Sequence, residues 1–254
     1  MGNNAYTAFE LQNNNDGQKT ALSVVKPFIS FNTQWASSAS FNEEKRTDSV
    51  YQNINDVQKF EHDISQIGFS YGWKAGELAN ATLRYSAGYQ FDQHIFTPLA
   101  DQPLPQDRQY NYPWLAVDYE QHGFKKLTDI YLIGKIEDFN LGWHLTGRVG
   151  FSPANSYSPA TWIADTRISK GLVLNDKLIL LAHTQWRSLL SQNGTNRINS
   201  DSQAELFYRF HPHFGWYNKI ALAYSRNAFI DTPLTLGGDN DLRGYPTQYQ
   251  HGSH

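Results

Sequence analysis

Cysteine is absent from the 254 residues, which removes disulfide frameworks, thiolate zinc sites and cysteine nucleophiles together. Long apolar runs are missing as well. The longest strongly apolar stretch is Leu178–Ala182, whereas a membrane-spanning helix needs about 20 such residues. The third thing lacking is an excess of one charge: 21 Lys and Arg stand against 24 Asp and Glu, a formal net charge of −3. No whole-chain field draws the protein to an anionic polymer, and no nucleic-acid partner is expected. The mean hydropathy of −0.58 is that of a polar chain.

What is present gives a different signal. Phe, Trp and Tyr make up 15% of the residues, beside 18 glycines and many Asn, Gln, Ser and Thr. A chain that is polar on average, yet rich in aromatics and glycine, suits a transmembrane β-barrel, which hides its hydrophobicity in alternation. A secreted β-sandwich is the competing expectation. Alternation recurs along most of the sequence. In the window 142–151, Trp143, Leu145, Gly147, Val149 and Phe151 share one face, while His144, Thr146 and Arg148 share the other. The windows from Gln66, Ala81, Gln203 and Asn218 behave in the same way, and helical spacing fits none of them. The polar face of these windows carries Gly68, Gly72, Gly88 and Gly150, which would relieve crowding inside a closed wall.

Ten strands are expected, over 4–14, 20–36, 58–74, 80–92, 112–137 (bent near Gly123), 139–151, 160–170, 177–190, 200–210 and 216–226. Short connections near 15–19, 75–80, 137–140, 171–176 and 211–215 alternate with long polar ones near 41–58, 92–112, 152–159 and 191–200. Short turns at one end and long loops at the other are how outer-membrane barrels are built. Trp73, Trp143 and Trp216 fall beside short turns; Trp35, Tyr89, Phe91, Phe151 and Trp186 fall near the long loops. Two aromatic girdles are expected at the two membrane interfaces. The expected fold is therefore all-β, a transmembrane antiparallel β-barrel occupying 1–254 as one domain. Its polar lining would include Arg84, His144, Arg148, Asp165, Arg167, Glu205, Arg209 and Lys219.

The chain ends on a distinct motif, Thr235-Leu-Gly237-Gly238-Asp239-Asn-Asp241-Leu242-Arg243-Gly244-Tyr245-Pro246. Paired glycines permit positive φ, and a single cation stands between a leucine and a glycine–aromatic pair. An arginine flanked in this way can be carried into a confined polar space to meet a carboxylate or an aromatic face. Gly237, Gly238, Arg243, Gly244 and Tyr245 resemble the loop-six signature of the bacterial surface antigen superfamily. Its members are the outer-membrane insertases BamA and TamA and the haemolysin-type two-partner-secretion transporters such as FhaC.

The resemblance implies a sixteen-stranded barrel in which this motif lies on the extracellular loop after strand eleven. Counting back, the chain would hold strands two to eleven plus the start of loop six. It would then be a fragment without strand one, strands twelve to sixteen and the periplasmic POTRA domains usual in that family; a chain that closes as a smaller barrel is the alternative. The function implied is transport of a polypeptide client across, or insertion into, the outer membrane of a Gram-negative bacterium, with outer-membrane lipid as surroundings. A passive pore or structural barrel without a client is the alternative. In the family, acidic residues beyond loop six hold the motif arginine; here Glu205 or Asp165 would have to substitute.

No catalytic site, cofactor or metal is expected, and the chain is not read as an enzyme. His211-Pro212-His213 has the spacing of a two-histidine metal pair but lacks further ligands nearby. No Gly-x-Ser-x-Gly elbow occurs, so an outer-membrane hydrolase finds no support.

Overall fold

The computed structural model describes residues 4–53, 56–99, 101, 103–131, 134–175, 177–211, 214–236 and 250–252. The first six strands are β1 (Tyr6–Asn14), β2 (Gly17–Lys26), β3 (Trp35–Asn53), β4 (Asp56–Leu78), β5 (Ala81–Pro98) and β6 (Arg108–Gln121). A hairpin of β7 (Phe124–Thr128) and β8 (Ile136–Asn140) follows. The chain then continues through β9 (His144–Ser152), β10 (Thr161–Asn175), β11 (Leu178–Ser191), β12 (Arg197–His211) and β13 (Phe214–Arg226). A short pair closes the series, β14 (Leu234–Leu236) with β15 (Gln250–Gly252).

Eleven of these strands form one antiparallel sheet in the order β1-β2-β3-β4-β5-β6-β9-β10-β11-β12-β13, while β7 and β8 pair only with each other. Every neighbour in the large sheet is also the next strand along the chain, apart from the inserted hairpin. β1 and β13 form its two edges, and the sheet is open.

Alternation decides which residues line up. Leu22, Phe41, Ile67 and Phe91 occupy one row across four strands. Trp35, Trp73, Tyr85 and Val117 occupy another. Aromatic rings stack along this face, Trp35 on Tyr71 at 6.0 Å and Phe69 on Tyr89 at 5.7 Å. No described element covers it. Phe69 is 57% exposed, Leu115 64% and Leu222 67%, although burying such side chains is what normally stabilises a fold in water.

The opposite face is polar and curls inward. Residues from β4 (Gln66) to β12 (Asn199) line a single cavity of about 280 Å³. A flat sheet would hold strands six places apart at about 29 Å. Large rings lean over small residues on this inner side: a side-chain carbon on Gly88 would meet the Trp114 ring at 2.4 Å, and one on Gly150 the Tyr112 ring at 2.4 Å. Substituting either glycine would push those rings out of place. Tyr110, Tyr112, Ile163 and Leu189 make a small interior core, with Trp114 and Phe229 packed against it.

Several expected boundaries are corrected. The segment 20–36 is not one strand: β2 stops at Lys26, Pro27 follows, and a turn closed by Thr33 N–H to the Ser30 carbonyl precedes β3. The expected loop 41–58 is instead strand, because β3 and β4 run on as a polar ladder in which Lys45 pairs with Asp63. The expected strand 112–137 ends at Gln121; Gly123 then packs against Gly142 at the base of the inserted hairpin. The sheet therefore has eleven strands where ten were expected. The tight turn at 15–16 consequently lies at the same end as the loops 99–107, 153–160 and 192–196, here termed the loop end. The connections 27–34 and 79–80, Lys177 before β11, and the inserted hairpin lie at the other, the turn end.

Candidate functional site

Period-2 alternation sends charged residues of every inner strand to the concave side, where they sort into groups. Near the turn end, Arg84 donates to Asp118 at 3.0 Å and Glu120 at 3.1 Å, and His144 meets Asp118 at 2.8 Å. The Arg84 guanidinium also lies below the rings of Phe28 and Phe31, from the loop between β2 and β3. Asp118, Glu120 and His144 bring ligand-type atoms within 4.8 Å of one another. Both carboxylates already accept from Arg84, so the group is an ion-pair network.

At mid-height, Arg148 donates twice to Asp165, at 2.9 and 2.5 Å, with Arg187 at 3.8 Å from the same carboxylate. Arg167 donates to Gln185 at 3.3 Å. A cavity of about 550 Å³ opens beside these side chains. Mixed signs at close range keep its lining nearly neutral.

Two inserted segments cover the turn end. The hairpin β7–β8 crosses the inner face from β6 to β12. There the Tyr131 hydroxyl donates to Glu205 at 2.5 Å and its ring meets Phe207 edge-on at 5.6 Å. Arg209 donates to the Thr128 carbonyl and lies 3.6 Å from Asp129. On the other flank Phe31 packs on Phe124 at 5.6 Å, so the loop between β2 and β3 joins the hairpin. Burial, and then the acceptor Glu205, push the Tyr131 hydroxyl above its ordinary range.

The loop end is held by the segment that follows β13. Asp231, its side chain 2% exposed, accepts from both terminal nitrogens of Arg108 at 2.9 and 2.7 Å. Phe229 is clasped between two guanidinia, Arg108 at 4.1 Å and Arg197 at 4.0 Å from its centroid. The chain thus turns back into the interior immediately before the glycine–arginine motif.

Beyond the apolar rows, β3, β4 and β5 project past the loop end. Val50, Phe60 and Phe96 form a second small core there with Leu104. A polar line runs beside it: Asp48 to His62 at 2.6 Å, His62 to His94 at 2.8 Å, and His94 to Asp92 at 3.2 Å. Burial works to raise the Asp48 carboxyl, but the hydrogen bonds from His62 and Arg46 outweigh it and hold the group below 3.8. A carboxyl depressed on folding stabilises above its unfolded value and loses that contribution as pH falls through its folded value. Amide-exchange protection of residues 44–50 and 58–64 in the native chain is therefore expected to exceed that of Asp48→Asn at neutral pH. The gap should close as the pH drops below 3.8. A gap that stays constant as acid is added would overturn this assignment.

All eight residues expected on the polar lining lie on this inner face. Arg84, His144, Arg148, Asp165, Arg167, Glu205 and Arg209 make the contacts given above, and Lys219 stands opposite Glu205 across β12 and β13. The two acids considered as partners for Arg243 are engaged elsewhere: Glu205 by Tyr131 and Gln203, Asp165 by Arg148 and Arg187. Gly237, Gly238, Arg243, Gly244 and Tyr245 lie outside the described residues, as do His213 and Pro212. Sequence reasoning missed Arg108, Asp231, Phe229 and Arg197 because no periodicity links β6 to a segment 123 residues later. It also missed the Asp48–His62–His94 line. The one available signal was a pair of histidines on strands with polar residues on both faces.

Fold and site together define a class: an all-β protein built on one open, curled, eleven-stranded antiparallel sheet, apolar outside and charged inside. Comparisons with known protein families, with curated proteins and with solved structures give no match.

Proposed function

We propose that this chain is the barrel part of an outer-membrane translocase or insertase, in which a polypeptide client passes through, or is templated by, the sheet. The observation that carries the proposal is the inversion of faces. Rows of Phe, Leu, Trp and Tyr stand uncovered outside, while Arg84, Glu205 and Asp231 are buried within. Water penalises the first arrangement and a bilayer rewards it. The stretch from Leu83 to Phe91 on β5 is nine residues long, in line with the roughly 9–11 that a tilted strand needs to cross the hydrocarbon.

If β13 stands as strand eleven of the sixteen-stranded barrel that the resemblance implies, the Arg243 motif would follow it as loop six; the eleven strands of the sheet would then make β1 strand one, where the count of ten made it strand two. Asp231 and Phe229 draw the start of that loop inward, the direction that would bring a lumen arginine to its place. The edges β1 and β13 need partners in lipid, where unpaired backbone groups are costly. Further strands of the sixteen-stranded barrel would supply them. Covered mouths at both ends argue against a permanently open channel.

Reconstitution tests the proposal. The native chain is expected in the outer-membrane fraction, with an unboiled band that runs faster than the boiled one. In planar bilayers it should give no steady current. Steady, uniform openings without a polypeptide client would replace the translocase with a passive pore. Recovery as a soluble periplasmic protein would overturn both.

A further inference from the structure

The outer face sinks between β10 and β13. Two neighbouring rows cross β10 to β13 as Lys170, Ala182, Ala204, Ile220 and as Ile168, Thr184, Ser202, Leu222. On β11 and β12 both rows carry only small side chains, whereas β10 and β13 carry large ones. The result is a trough two strands across, about 10 Å wide, with a volume of about 350 Å³. Trp186 and Tyr224 close it toward the loop end, and Leu180 and Leu206 toward the turn end.

Lys170 is the one charged residue of those two rows. Its amine lies 5.7 Å from the Trp143 ring centroid, and among the described residues no carboxylate lies within ion-pair distance of it. A lysine on a face of Leu, Ile and Trp keeps its stem on the apolar surface and carries its head toward the polar boundary. An ammonium held there without a protein counter-ion attracts an anion of the bilayer surface.

Resting on the membrane reading above, we propose that this trough is a specific seat for one anionic phospholipid. One acyl chain would lie over Ala182, Thr184, Ser202 and Ala204, and the phosphate would meet Lys170 beside Trp143. Shape supplies the first half of the recognition and charge the second. Neither is repeated in the row of Leu22, Phe41, Ile67 and Phe91, where no small pair is flanked by large neighbours.

Quenching of tryptophan by brominated acyl chains reads this directly. The full chain is reconstituted in phosphatidylcholine vesicles containing brominated phosphatidylglycerol or brominated phosphatidylcholine. Subtracting the Trp143→Phe variant isolates one of the seven tryptophans. Trp143 is expected to prefer the brominated anionic lipid about fivefold, the size of one lysine–headgroup attraction. Lys170→Gln should abolish that preference while leaving quenching by the zwitterionic lipid intact. Ala204→Phe should weaken quenching at Trp143 by both. Equal quenching of Trp143 by the two lipids, or a preference unchanged in Lys170→Gln, overturns the seat but leaves the barrel standing. If neither lipid quenches any outward tryptophan, such as Trp73, Trp162 or Trp216, the membrane reading falls and the seat with it.

Discussion

Replacing Leu115 with arginine is expected to cost about 2–4 kcal/mol of folding free energy in lipid, the penalty for a cation near the middle of a barrel's outer face. Leu115 is 64% exposed and stands between Ala87 and Val149 in the outer rows. No described side chain buries it, so the effect of the substitution depends on what solvent surrounds it. Against water the same change would stay within about 0.5 kcal/mol, as surface substitutions usually do. The measurement is the urea midpoint of refolded protein in vesicles, with the heat-shifted band as a second readout. Leu115→Phe serves as the control and should keep both. An arginine variant that folds as well as the native chain would show that this face meets water.

The second large effect belongs to Arg108. Its guanidinium is 8% exposed and faces a carboxylate that is 2% exposed, so removing one partner leaves the other charge buried and unpaired. Such losses run to about 3–5 kcal/mol. In Arg108→Ala, Phe229 also loses one of the two cations that clasp its ring. The energy falls on the segment 227–232, whose attachment to the interior is made of these contacts, so the expected result is local release. Trypsin should then cleave after Arg226 many times faster than in the native protein, with the sheet itself intact. Asp231→Ala should behave alike. The double variant Arg108→Leu/Asp231→Leu should be less accessible than either single change, because no charge is left stranded. Equal cleavage in all four proteins would mean that the segment is held by something else.

Legibility in the sequence followed the solvent on each side of a strand. Where one face was apolar and the other polar, as in 67–73, 83–91 and 143–151, alternation gave the strand, its faces and the inward position of Arg84, His144 and Arg148. Where both faces were polar, the signal vanished although the strands did not. Residues 43–53 of β3 and 58–64 of β4 are paired along their length, yet nothing in Glu43-Glu44-Lys45-Arg46 distinguishes a ladder in water from a loop. The hairpin β7–β8 was unreadable for another reason: it is anchored by a few side-chain contacts to distant segments, Tyr131 and Arg209 joining it to β12 and Phe31 meeting Phe124. Pairing of Arg108 with Asp231 had no local cue at all.

That pairing has a bearing on how the sheet comes together in time. Apart from β9, which meets β6 across the inserted hairpin, each strand of the meander pairs with the strand just before it in the chain, so registration can spread from neighbour to neighbour at small entropic cost. Asp231 must instead reach a residue 123 positions back, and Phe229 needs Arg197 on β12 as well as Arg108 on β6. Those two arginines approach each other only once the intervening strands have curled. The contact is therefore expected to close after the strands have curled, so that it would report the completion of curling.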